Sequence, residues 1–345
     1  MPRVQCLSIG LAFLFVAAQL AAAEPTSIKA THVLQLGRNE VIGKPPVITA
    51  VTLQPGGQLL ASAGDDHAIR VWSTSTHQLL RTLKAHRDWV RSVAFSPDGR
   101  SLASAADDGT VIFWNPETGD RLRMLAPHSV PIYAIAYSPD GKRLATVGFE
   151  QKVRLLDAAS GDQLNVLEGP CKDLRTVCFS PDGEYLAAAG RNAQVQVWQL
   201  GTGQLVFELP AGVERIRAIA YSPDGKRLAA VGHGRIATVW NAESGEKVTE
   251  FSCRSAKVHS LAFCKGDVIA TGGTDNSIRI WDLKSQSEQF QLVGHTGTVS
   301  ALACDLKSGV IVSGSFDTTV RIWTTEGQGS PERIAQPVEH DGRLR

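Results

Sequence analysis

Six tryptophans, Trp72, Trp114, Trp198, Trp240, Trp281 and Trp323, stand 42, 84, 42, 41 and 42 residues apart. The interval of 84 is two periods, and Leu156, in VRLLD, fills the vacant place, so the chain holds seven units. The one-residue shortfall before Trp281 has a visible cause: the turn written SPDG in other units is reduced to CKG at Cys264 to Gly266. A fixed period of this length means one small motif repeated, in which each copy buries its apolar face on its neighbours.

The second unit shows what the motif is. WVRSVAF, residues 89–95, alternates apolar and polar side chains as a strand does. SPDG, residues 96–99, has the proline and glycine of a type I turn, and recurs at Ser138, Ser180 and Ser222. SLASA is a second strand, Asp107-Asp108-Gly109 a tight hairpin turn, TVIFW a third strand and RLRML a fourth. No helical periodicity of useful length occurs after the first 23 residues. Each unit is therefore a four-stranded meander that cannot cover both its faces, and seven packed radially can. The expected fold is an all-β, seven-bladed propeller with four antiparallel strands per blade.

A ring must close. The seventh unit has strands near Val299 to Cys304, Gly309 to Ser313 and Thr319 to Trp323, followed by a proline-containing segment poor in strand character. THVLQL, residues 31–36, is a spare strand at the other end and is expected to complete blade seven. The alternative is that residues 333–336 supply the strand and 31–36 form a free arm.

The domain plan is thus a leader at 1–23, a propeller at 31–325 and a flexible tail at 326–345. The leader has one positive charge, Arg3, then the apolar run LSIGLAFLFVAAQLAAA ending in Ala21-Ala22-Ala23. That is the pattern of a secretory signal peptide cleaved after Ala23, with an uncleaved membrane anchor as the alternative. An exported protein, bacterial periplasmic or extracellular, with no membrane insertion after cleavage, is expected. Lys plus Arg total 35 against 34 for Asp plus Glu, a balance that gives no reason to expect nucleic acid as a partner. Beyond the leader five cysteines remain: Cys171, Cys178, Cys253, Cys264 and Cys304. They show no CxxC and no regular spacing, so no zinc or haem site and no cofactor is expected; one disulfide is possible, with no pair singled out. Cys178 and Cys304 lie in apolar strand patterns as small core residues, whereas Cys171 and Cys253 fall in loops and are expected to be the reactive ones.

GHTGTVSALA (residues 294–303) and IRIWD (residues 278–282), with the 42-residue period, resemble the WD-repeat family over residues 31–325. The SPDG turns beside an export leader resemble its bacterial exported branch. The resemblance implies a monomeric propeller that binds proteins or peptides as a scaffold. It also implies a hydrogen-bonded set of His, Ser or Thr, Asp and Trp inside each blade. His86, Ser104, Asp108 and Trp114 match fully, as do His295, Ser313, Asp317 and Trp323. The first unit keeps Ser62, Asp66 and Trp72 with Lys44 in place of the His; the sixth keeps Thr271, Asp275 and Trp281 with Arg254 there. The third has His128, Thr146, Glu150 and Leu156; the fourth Ala188, Asn192 and Trp198; the fifth Ala230, Gly234 and Trp240. A Ser-His-Asp set recurring beside a tryptophan is a structural strut; a hydrolase needs its serine in a cleft.

The family's ligand face implies two positions per unit at the channel mouth. One precedes the tetrad acid: Asp65, Asp107, Phe149, Arg191, His233, Thr274 and Phe316. The other precedes the first-strand apolar residue: Val47, Trp89, Pro131, Asp173, Arg215, Lys257 and Thr298. Trp89, Phe149, Arg191, Arg215, His233 and Phe316 are the candidate protein-binding residues, being types enriched where binding energy concentrates. His233 has no second ligand at close spacing, and the paired aspartates are hairpin turns without the further oxygens of a calcium loop, so no metal site is expected. Two other functions compete with a non-catalytic scaffold. One is a lactonase-like or other hydrolase with its site at the channel mouth; the other is a carbohydrate or cell-wall binder.

Overall fold

The computed structural model describes residues 25–36, 45–255 and 257–324. The expected leader, the C-terminal tail and Lys44 lie outside the described residues. The described residues form 29 strands and no helix, arranged as seven sheets in chain order around a ring. Within each blade consecutive strands pair antiparallel, as in Val90–Phe95, Leu102–Ala106, Val111–Trp114 and Arg121–Leu125 of blade two. The fold is the seven-bladed propeller expected.

The core lies between blades. Seven apolar clusters occur, and each draws its side chains from two neighbouring blades. Trp72, Trp114, Trp198, Trp240 and Trp323 each face the preceding blade, and Leu156 does the same in blade three. Trp281 meets Phe251 of blade five, ring centroids 4.7 Å apart. Second strands are rich in alanine because they sit in the middle of this sandwich: Ala187, Ala188 and Ala189 are fully buried. A larger side chain there would push neighbouring blades apart.

The SPDG turns behave as their chemistry requires. The amide of Gly99 donates to the Ser96 carbonyl at 2.8 Å, and Gly99 adopts a φ of 72°, a conformation open to glycine. Asp98 takes a hydrogen bond from Ser96 Oγ and another from the Arg100 amide, and its carboxyl is held below its ordinary range by both.

Ring closure uses the N-terminal segment. His32–Gln35 pairs antiparallel with Thr319–Trp323, His32 opposite Ile322 and Gln35 opposite Thr319, and buries Leu34 and Leu36. One further strand was not anticipated. Thr26–Lys29 runs parallel along Ser287–Val293 as a fifth strand of blade six, burying Ile28. Residues 26–35 thus strap blade six to blade seven. The same seam carries a Cys264–Cys304 disulfide, with Cα atoms 5.5 Å apart. Cys264 stands one period after Ser222, the first residue of an SPDG turn, so covalent bonding appears where that turn is lost.

Two readings of the cysteines need correction. Cys304, expected to be a small core residue, is bonded to Cys264, which directly follows the first strand of the neighbouring blade. Cys253, expected to be reactive, is 1% exposed, and burial pushes its thiol up to about 12. Burial also pushes Cys178 up to about 12, in keeping with a core position. Cys171 is half-buried.

Each of Ile28, Leu34 and Leu36 contributes about 1.5–3 kcal/mol by burial. Removal of residues 25–36 is therefore expected to lower the Tm by roughly 10 °C or more in scanning calorimetry. An unchanged melt would refute closure by this strap.

Candidate functional site

The Ser-His-Asp sets are internal. In blade two His86 Nδ1 meets Asp108 Oδ2 at 3.0 Å and His86 Nε2 meets Ser104 Oγ at 2.8 Å. The Trp114 indole N–H donates to the same Ser104 oxygen at 2.9 Å. With hydrogen on Nδ1 donated to Asp108, Nε2 accepts from the Ser104 hydroxyl, and every polar group has a partner. Blade seven repeats this with His295, Ser313, Asp317 and Trp323 at 2.7, 2.7 and 2.8 Å. Ser104 and Ser313 are fully buried, so neither hydroxyl can reach a substrate.

Blade three keeps the polar chain without the indole: His128 Nε2 meets Thr146 Oγ1 at 2.7 Å and its Nδ1 meets Glu150. In blades one and six the indoles of Trp72 and Trp281 donate to Ser62 and Thr271. The acid there is met by an arginine on the third strand: Arg70 on Asp66, and Arg279 on Asp275. Arg154 and Arg321 approach Glu150 and Asp317 from the same register. The signal for these arginines was an Arg two residues before the Trp position. Arg254 does not stand in for the histidine as its place in the repeat suggested; its side chain is exposed and faces Glu288, because Arg279 already occupies Asp275.

Partial burial pushes the Asp108 and Asp317 carboxyls up, but hydrogen bonds from the imidazole, the neighbouring threonine and backbone amides outweigh it and hold both well below the ordinary 3.8. A carboxylate with a depressed folded pKa stabilises the fold above its unfolded value and loses that contribution as pH falls through the folded one. The native state is expected to weaken below about pH 4, and Asp108→Asn with Asp317→Asn to flatten that acid limb in equilibrium denaturation. Ser104→Ala is expected to cost about 1–3 kcal/mol by leaving the indole and imidazole unpaired.

The channel-mouth positions pair with each other. The amide that follows each second strand, at the start of the turn into the third, donates to its partner's carbonyl: Asp107 to Trp89, Phe149 to Pro131, Arg191 to Asp173, Thr274 to Lys257 and Phe316 to Thr298 at 2.9–3.0 Å, and Asp65 to Val47 at 3.3 Å. His233 sits opposite Arg215 in the strand register. The axis itself is lined by the residue two further along each innermost strand: Thr49, Arg91, Tyr133, Arg175, Arg217, His259 and Ser300. These and Phe316 enclose a cavity of about 350 Å³. Strand alternation would have found this ring, since every second residue returns to one face.

Of the six candidates, Arg191 and Arg215 come together with Asp173, Arg175 and Arg217 around a smaller cavity of about 160 Å³. His233 accepts from Arg217 Nε at 3.1 Å and lies near His259, ring centroids 6.0 Å apart. Burial first, then Arg217 and Lys257, lower the His233 pKa; burial with Arg217 and His233 takes His259 down to about 4. Trp89 lies against the Arg91 guanidinium at 4.5 Å, and Arg91 is paired with Asp107. Phe149 lines neither cavity. A third cavity, about 390 Å³, lies at the seam of blades seven and one, where His32 of the closing strand stacks on His77 at 3.6 Å.

The family model for the WD domain, G-beta repeat, matches residues 41–73, 77–115, 119–157 and 286–324. That for the anaphase-promoting complex subunit 4 WD40 domain matches residues 177–265. A 71-residue stretch, 21% of this chain, is 36% identical to a probable serine/threonine-protein kinase PkwA of Thermomonospora curvata and covers 8% of that protein's length. With seven blades, indole–hydroxyl bonds in blades one, two, six and seven, and these matches, the chain belongs to the WD-repeat β-propeller family.

Proposed function

We propose that this protein is a non-catalytic, exported scaffold that captures an extended segment of a partner protein on the channel-mouth face. One observation carries the reading. Among the described residues the exposed aromatic side chains are Trp89, Phe149 and Phe316, at 40%, 52% and 46%, and all three stand at channel-mouth positions. Every other described Trp, Phe or Tyr is at least half-buried. Rigid aromatics left in water on one face are what binding sites use as anchors. Leu79 with Leu80, Leu122 with Met124, Leu164, Leu205 with Val206, and Val248 are also exposed, but they lie on the fourth strands of five different blades, away from the axis.

A scaffold role agrees with the family, whose propellers present surfaces for protein–protein contact. The axial guanidiniums of Arg91, Arg175 and Arg217 would repel the divalent cation that a lactonase-type site needs. Export is supported by the leader pattern at residues 1–23 and by the Cys264–Cys304 bridge, a bond suited to an oxidising compartment.

Joint replacement of Trp89, Phe149 and Phe316 by alanine is expected to leave the melt within a few degrees and to reduce capture of the envelope partner at least about tenfold. Pull-down followed by mass spectrometry reads the outcome. Undiminished capture, or retention on cell-wall glycan with no protein partner, would overturn the proposal. Cell fractionation with N-terminal mass analysis tests export: an intact leader on a cytoplasmic protein contradicts it.

A further inference from the structure

The mouth of the channel between blades four and five concentrates positive charge that the fold does not neutralise. Arg175, Arg191, Arg215 and Arg217 surround one cavity, and Asp173 is the carboxylate lining it. Arg175 pairs with Asp173, and Arg191 approaches the same group at 3.6 Å with its side chain half exposed. Arg215 and Arg217 have no carboxylate partner among the described residues; Glu214 and Lys257 are the other charges acting on their neighbour His233. Burial, then Arg175, disfavour ionisation of Arg217, with Arg215 and Arg191 adding to the effect and Asp173 opposing it.

Three features make this a built site. The guanidinium planes are held: Arg175 lies 3.7 Å over the Tyr133 ring, and Arg217 is tied to His233. The two blades that hold the cluster are those that have lost the tetrad acid, with Asn192 and Gly234 in its place. The positive charge is local, since the whole chain carries 35 basic against 34 acidic residues. A strong local field in a narrow, partly desolvated cleft selects anions. The cleft, about 160 Å³, is the size of one or two carboxylate-bearing side chains, and it shares Arg175 and Arg217 with the axial cavity that Phe316 also lines. The phosphate backbone of a nucleic acid would need a much wider basic face.

We propose that Arg175, Arg191, Arg215 and Arg217 form an anion subsite that takes Asp or Glu side chains of an acidic, extended segment in the partner protein. This rests on the channel-mouth face being the binding face. Charge-assisted pairs to Arg215 and Arg217 would relieve the mutual repulsion of the cluster, so the ligand also stabilises the fold.

Fluorescence anisotropy of fluorescein-labelled octaglutamate against the full chain tests it. Octaglutamate is expected to bind and octaglutamine not; affinity is expected to fall between about 50 and 200 mM salt. Arg215→Gln with Arg217→Gln is expected to lower the affinity at least about tenfold with an equal or higher Tm, since like charges have been removed. Equal binding of octaglutamine, an unchanged affinity in the double variant, or tighter binding of octathymidylate overturns the proposal. Absence of octaglutamate binding, with partner capture still dependent on Trp89, Phe149 and Phe316, overturns the anion subsite and leaves the face assignment standing.

Discussion

Burial between blades is the constraint from which the rest of this structure follows. A four-stranded sheet has two apolar faces and no means of covering either. Here every cover is the face of a neighbour, and each of the seven clusters spans one seam. That arrangement explains the alanine-rich second strands, the indoles directed at the preceding blade and the exposure of only the rims. It also explains why the ring cannot end loosely. A blade with one free face would place a row such as Val320, Ile322 and Leu34 in water.

Polar groups inside such seams must be paired, and the chain uses two chemistries for this. Blades two and seven bind the turn acid with histidine; blades one and six bind it with an arginine reached along the third strand. Both leave the hydroxyl to accept from the indole. Blades four and five use neither, and Ala188 and Ala230 stand where the hydroxyl would be, fully buried. Their stability rests on packing, which frees the adjoining turn positions from structural duty. Those are the positions that carry Arg191 and His233, beside the arginine cluster.

Much of this was legible in the residues. The tryptophan spacing yields the blade number, and the paired mouth positions follow from counting back from the tetrad acid. The closing strand is recognisable in THVLQL because it alternates and has no partner of its own. Other elements left no such trace. TSIK is four residues long, and its parallel neighbour lies far away in the chain, so no local pattern marks it. Cys264 and Cys304 occupy different register places, 264 a turn position and 304 a strand position, so repeat alignment does not pair them. The arginine cluster became visible only when side chains from separate blades were placed around one axis.

The strap at residues 26–35 has a consequence for how the chain reaches its native state. The strap precedes every blade in the chain, whereas its partners, Ser287–Val293 and Thr319–Trp323, belong to blades six and seven. Six blades can stack progressively from local contacts, but the ring stays an open arc until nearly the whole chain has emerged. Its earliest strands wait unpaired through that interval, and contacts of such sequence separation are the slow ones to form. A chain that crosses a membrane amino-end first would therefore have its latch outside before its keeper arrived, and assembly of a closed disc would be the last event on the far side.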